Sequence, residues 1–180
     1  MDKTIELVPL VCVRCNTPVP AELDEVAWVC AQCGQGLSLG ETGLQALEVH
    51  YMAGLPANTK GKPYWVAQGQ VSSLQREKYG GGDKEAGQAQ AFWSQPRRFF
   101  VPAYSATLEN LLAQATQWMI QPPALQDGGV VPFEAVTLAV EDVRPAAEFI
   151  VMAIEAGRKD KLKKMNFSLQ LSPPVLWILP

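Results

Sequence analysis

An α+β fold follows from three features of this 180-residue sequence. Two Cys-x-x-Cys pairs, Cys12/Cys15 and Cys30/Cys33, mark a small N-terminal module among short apolar runs. Three aromatic and β-branched runs, Tyr64-Trp65-Val66, Phe99-Phe100-Val101 and Leu176-Trp177-Ile178, read as strands of one sheet. Their unequal spacing is not that of a repeat array. Two stretches of helical periodicity, Leu108 to Met119 and Ala147 to Ile154, supply helices to cover that sheet. The expected layout is a Cys₄ module at residues 1–50, then an α+β domain at 51–180. The second unit is a mainly antiparallel sheet with two amphipathic helices.

Composition suits a chain that buries a core, because 48% of residues are apolar and 18% are charged. Apolar runs such as Val175–Leu179 are far shorter than the roughly 20 residues that span a bilayer. The start, Met1-Asp2-Lys3-Thr4-Ile5-Glu6, carries acid where a signal peptide carries base. A cytoplasmic location is therefore expected, and there the paired cysteines serve better as metal ligands than as disulfides. The net charge of −3 gives no general attraction to nucleic acid or anionic lipid. Its distribution matters more. Residues 1–49 hold only Lys3 and Arg14 against seven acids, a formal −5.

The cysteine spacing has a mechanical reason. Two residues between cysteines let one tight turn aim both sulfurs at a single ion, and two such turns complete a tetrahedral shell. Asn16 and Gly34, each just after a pair, suit the left-handed backbone that such turns need. Cys12, Cys15, Cys30 and Cys33 are thus the expected ligands of one structural Zn²⁺, with iron in the same knuckles as the competitor. Four thiolates around Zn²⁺ would add a formal −2 to an already acidic module. Over about residues 8–50 the pattern resembles the zinc-ribbon superfamily. Cys30-Ala31-Gln32-Cys33-Gly34 matches its Cys-x-x-Cys-Gly knuckle. The first knuckle departs, with Val13 where Pro is common and Asn16 in place of Gly.

Around the cysteines, short strands are expected at Ile5–Val11, Val26–Val29, Leu37–Leu39 and Leu44–Tyr51, with Trp28 as a contact onto the larger domain. The loop Ala53–Lys62 has glycines too far apart for a phosphate-binding loop, and Pro63 stands where its Ser/Thr belongs. Pro63–Leu74 reads as a strand pair or one long strand with a bulge at Gly69. Flexible loops are expected near 77–90, around Gly80-Gly81-Gly82-Asp83, and near 122–132. Arg97–Tyr104 is a strand, and the next helix starts near Ser105 or Thr107. That helix points Leu108, Leu111, Leu112, Ala115, Trp118 and Met119 inward and stops at Pro122-Pro123. Phe133–Val140 is extended. The second helix has Asp142 as its expected N-cap and Pro145 in its first turn. Its end is basic, with Arg158, Lys159, Lys161, Lys163 and Lys164. The final apolar run reads as a central strand at the C-terminus.

Enzymatic chemistry finds little footing. His50 is the only histidine and reads as a strand-end residue. No nucleophile elbow, dinucleotide fingerprint or His-Glu-x-x-His is read in the chain. Nucleic-acid binding is the usual association of a zinc ribbon, but an acidic module repels phosphate. That alternative rests on the basic 158–164 region. The sequence favours a non-enzymatic, zinc-stabilised structural or interaction protein. Such a protein would be an adaptor or accessory subunit of a larger assembly, with a protein partner or self-association.

Overall fold

The computed structural model describes residues 8–40, 42–56, 58–80 and 83–180, and it is α+β. An N-terminal three-stranded sheet contains β1 (Ala27–Val29), β2 (Gly36–Gly40) and β3 (Gly43–Leu47), all antiparallel. Five strands form the larger sheet: β4 (Val49–Tyr51), β5 (Lys62–Lys78), β6 (Arg97–Pro102), β7 (Leu162–Leu171) and β8 (Val175–Leu179). Three helices accompany them: α1 (Lys84–Trp93), α2 (Leu108–Ile120) and α3 (Val143–Ala156).

β5 is one unbroken strand of 17 residues. It pairs antiparallel with β6 through Tyr64–Gly69 and with β8 through Lys62–Val66. Further along, Gly69–Lys78 pairs antiparallel with β7. β7 and β8 follow each other along β5, separated at Ser172-Pro173-Pro174, because proline has no N–H to give the ladder. Ser172 bridges the break: its N–H donates to the Gln68 carbonyl at 2.8 Å, and its Oγ accepts from the Gln68 N–H at 3.0 Å. β4 lies parallel to β8, so the C-terminal strand is central, as expected.

The three aromatic runs are neighbours, and their alternation splits the core between two faces. Trp65, Phe99, Val101, Leu176 and Ile178 face α3, whose Ala147, Ile150 and Val151 are buried against them. Tyr64, Val66, Phe100 and Leu179 face the other way, toward Trp118 and Tyr104. Trp65 keeps its polar tip satisfied, Nε1 donating to the Leu138 carbonyl at 2.8 Å.

Several expectations need correction. The 77–90 segment is not loop throughout: β5 continues to Lys78, and α1 begins at Lys84. Helix α1 was obscured by its mixed polar and small composition, and Gly81 and Gly82 lie outside the described residues. Gly69 is not at a bulge, since it pairs in register with both Arg97 and Leu171. Its missing side chain makes room for Phe99, whose ring any added Cβ would meet. The register shift comes between Ser72 and Gln75, where Ser73 takes φ +53°. Asp142 precedes α3 but makes no side-chain cap, because a 3₁₀ turn at Val140–Asp142 leads into the helix. Thr107 does cap α2, accepting from the Asn110 N–H at 3.4 Å. Leu44–Tyr51 divides at Glu48 between the two sheets. Phe133–Val140 makes only single bridges, at Phe133 and Val136. The Ile5–Val11 strand falls partly outside the described residues, and within them only Val11 bridges, to Pro18.

A buried ionic cluster ties α1, α3 and the connection from α3 to β7 to the far half of β5. Arg76 forks onto Asp160, with Nη1–Oδ2 at 2.7 Å and Nη2–Oδ1 at 2.8 Å. Its Nε lies 2.8 Å from Glu155 Oε2, a charge contact rather than an aligned hydrogen bond. The other oxygen of Glu155 accepts from Trp93 Nε1 and Arg158 Nε, both at 2.8 Å. Arg76 beside Asp160 holds that carboxyl below its ordinary range.

Arg76→Met strands the buried Asp160 carboxylate, while Glu155 keeps Arg158 and Trp93, and should cost about 3–5 kcal/mol, read as a lower urea midpoint. Asp160 is depressed in the folded state, so its contribution is present above the unfolded carboxyl value near ~3.9. It is lost as pH falls through the folded value. Acid titration of stability should therefore be shallower in Asp160→Asn than in the parent; equal slopes would contradict the fork.

Candidate metal centre and its surroundings

The two knuckles are built alike. Asn16 N–H donates to the Cys12 carbonyl at 2.9 Å, and Gly34 N–H to the Cys30 carbonyl at 2.8 Å. Cys12 N–H bonds the Thr17 carbonyl and Cys30 N–H the Gln35 carbonyl, each at 2.9 Å. Asn16 (φ +57°) and Gly34 (φ +72°) turn the chain back at equivalent positions, as the sequence implied. Turn and strand together bring the pairs face to face.

All four sulfurs lie within 4.8 Å of one another. Cys12–Cys33 and Cys15–Cys30 are each 3.6 Å apart, far too long for disulfides. Sulfurs about 2.3 Å from a common ion sit about 3.8 Å apart in a tetrahedron, so the donor set fits a metal ion. Cys12 and Cys30 are buried, while Cys15 and Cys33 are partly exposed. Buried Trp28, Leu37 and Val19 pack around them.

Acidity within the set is divided. Thr17 lowers Cys15 to about 6 through its hydroxyl, 3.3 Å from the sulfur, and its backbone N–H. Cys33 receives the Gln35 backbone N–H, yet burial and the crowding of Cys15, Cys12 and Cys30 push it up to about 12. Four thiolates cannot share this volume without a cation. Metal binding must displace protons, so affinity falls with pH.

The module is fastened to the larger sheet through β1. Val26 N–H donates to the Val136 carbonyl at 2.9 Å, and Ala27 bridges Val136. Ala27 and Val136 are fully enclosed in the main core. Alternation then sends the next residue, Trp28, into the cysteine cluster, with Nε1 donating to Glu25 Oε2 at 2.8 Å. Ala27, not Trp28, makes the core contact, because neighbouring strand residues face opposite ways.

His50 lies on β4 and stacks on Trp177 with centroids 4.7 Å apart. Its Nδ1 is 2.7 Å from Asp127 and its Nε2 is 2.9 Å from Glu48. An imidazolium can donate to both carboxylates, whereas a neutral ring donates to one. The histidine fastens the 122–132 segment, which also bonds through Gly128 N–H to the Tyr51 carbonyl at 2.7 Å. Sequence spacing gave no sign of this His–Asp contact across 77 positions. Gly36-Leu37-Ser38-Leu39-Gly40 carries the letters of a nucleophile elbow, which the sequence reading passed over. It is the middle strand β2, with Ser38 paired to Ala27 and Gln45, and not a strand-to-helix turn.

No family model matches this chain, and neither curated proteins nor solved structures offer a match. No helix among the described residues is long and apolar enough to cross a membrane.

Cys30→Ser should abolish stoichiometric metal in elemental analysis and lower the melting temperature, since Ala27 carries the module's order into the main core. Normal metal content in that variant would refute the four-thiol site. In the parent, apparent metal affinity should fall steeply from pH 8 to pH 5.5 in chelator competition, with proton release on binding; a flat profile would contradict the crowded thiol set.

Proposed function

We propose that the chain is a non-enzymatic, zinc-stabilised interaction protein of zinc-ribbon type, an adaptor or accessory subunit of a cytoplasmic assembly. Four soft thiolates in a closed tetrahedral set favour zinc, with iron the minor alternative. Structural zinc supplies about 10–16 kcal/mol to small modules, enough to order one with so small a core. One stoichiometric zinc without iron–thiolate colour is the expected content.

The observation that carries the interaction reading is an apolar groove of about 400 Å³ between α2 and α3. Leu111, Leu112, Ala115 and Ile150 form its floor. Leu108 and Phe149 stand at its mouth, 65% and 54% exposed. The sequence put Leu108 in the core, but α3 leaves that first turn of α2 uncovered. Large exposed apolar side chains around a groove mark a partner surface. Exposed Glu109, Glu141 and Asp142 surround the helix starts, and nearby Arg144 lies 3.9 Å from Glu148. The fitting partner is an amphipathic helix with an apolar face and basic flanks.

The basic region supports the nucleic-acid alternative less well. Arg158 is engaged by Glu155, and Lys163 lies 3.7 Å from Glu77. That leaves Lys159, Lys161 and Lys164 without ion pairs among the described residues, beside exposed Tyr79.

A photo-crosslinking phenylalanine analogue at position 149, introduced in the native cell, should capture one protein segment with apolar residues at helical spacing and flanking Lys or Arg. Leu108→Glu should abolish capture while leaving zinc content unchanged and stability within about 0.5 kcal/mol. Crosslinks only to a second copy would replace the partner with self-association. A salt-sensitive oligonucleotide shift, lost on replacing Lys159, Lys161 and Lys164, would favour the alternative.

A further inference from the structure

A second cleft, of about 560 Å³, separates the Cys₄ module from the larger sheet beyond the single bridge at Ala27 and Val136. Trp28 and Val19 form the module's wall, and Val131, Pro132 and Phe133 form the opposite wall. Tyr51 lies in the cleft lining and is only 7% exposed. Its ring packs edge-on against Phe133, with centroids 6.3 Å apart. Its hydroxyl has no hydrogen-bond partner among the described residues. Burial raises the phenol above its ordinary value, so the group stays a neutral donor and acceptor. The fully enclosed, unpartnered polar atoms among the described residues are Arg76 Nε and Glu155 Oε2, so the Tyr51 hydroxyl still opens to the cleft and is free to bond there.

The polar groups around this apolar slot have one sign. Glu25 and Glu134 border it. Glu25 spends one oxygen on Trp28 Nε1 and the Glu22 N–H, at 2.8 and 3.0 Å. Residues 1–49 add a formal −5, and a filled four-thiolate site makes the module more acidic still. Among the described residues, neither Lys nor Arg lines the cleft. Two walls held together at one end leave an open slot, which suits an extended chain better than an enclosed small molecule.

We propose that this cleft binds an extended peptide segment of a partner protein, seating an apolar side chain between Trp28 and Phe133 beside the Tyr51 hydroxyl, with an adjacent Lys or Arg held by Glu25 and Glu134. Aromatic-lined grooves of this kind take extended segments whose backbone carbonyls remain free to accept. The Tyr51 hydroxyl is placed to donate to one of them. The site shares the interaction reading but not its surface: it is separate from the α2–α3 groove.

The test is selection from a random dodecapeptide library on the zinc-loaded full chain, followed by affinity measurement on the enriched sequences. Enriched peptides should pair an apolar residue with Lys or Arg and lose at least tenfold in affinity when that base becomes Glu. Tyr51→Phe should weaken them about 3- to 10-fold with unchanged zinc content. Val130→Lys alters an exposed residue at the cleft mouth (79% exposed) and should weaken binding by a similar factor without affecting folding. Leu108→Glu, in the other groove, should leave binding intact, so the two surfaces stand or fall separately. No enrichment, enriched peptides without basic residues, or affinities indifferent to both Tyr51→Phe and Val130→Lys would overturn the proposal.

Discussion

The backbone of β5 must satisfy its hydrogen bonds over 17 residues, and that requirement arranges the rest of the molecule. β6 takes one stretch, while β8 and β7 in turn take the near and far portions. The unpaired flank of the far portion meets α1, where Gln70 Nε2 donates to the Trp93 carbonyl at 3.2 Å. A strand this long needs anchors at both ends. At its start, Gly61 N–H bonds the Pro132 carbonyl at 2.8 Å, joining β5 to the segment that also holds the Cys₄ module. At its far end lies the Arg76, Glu155 and Asp160 cluster.

That layout separates the charges of the chain. The acidic Cys₄ module lies near the start of β5, while Lys159, Lys161 and Lys164 lie near its end. With a rise of about 3.3 Å per residue, the strand spans up to roughly 50 Å from one end to the other. An internal pairing of the basic region with the acidic module, which charge alone would permit, is therefore closed by the fold.

The metal site and the main core also depend on each other through alternation on a three-residue strand. Ala27 enters the large core and Trp28 enters the cysteine cluster. Loss of the ion therefore loosens a wall of the cleft as well as the module. Apolar burial alone is scant for a unit as small as β1 to β3; docking through Ala27 supplements it, and an ion held by the four thiols would add to it.

Local chemistry made part of this protein legible in advance. The knuckles, the left-handed positions after them, the three aromatic strands and the buried face of α3 all follow from short-range spacing, because turn geometry and periodicity act over a few residues. Helix α1 escaped that reading because a glycine run precedes it and its polar and small residues show no apolar stripe; packing of Ala89 and Trp93 against the core holds it. The position of Leu108 was misread because periodicity names a face but not what covers it. The ionic cluster unites Arg76 with Asp160 across 84 positions, and the cleft exists only where two sheets approach. The sequence by itself determined a four-thiol site and an α+β chain around it. Tertiary structure decided which apolar surfaces stay open, since that depends on how far each helix or strand reaches over its neighbour.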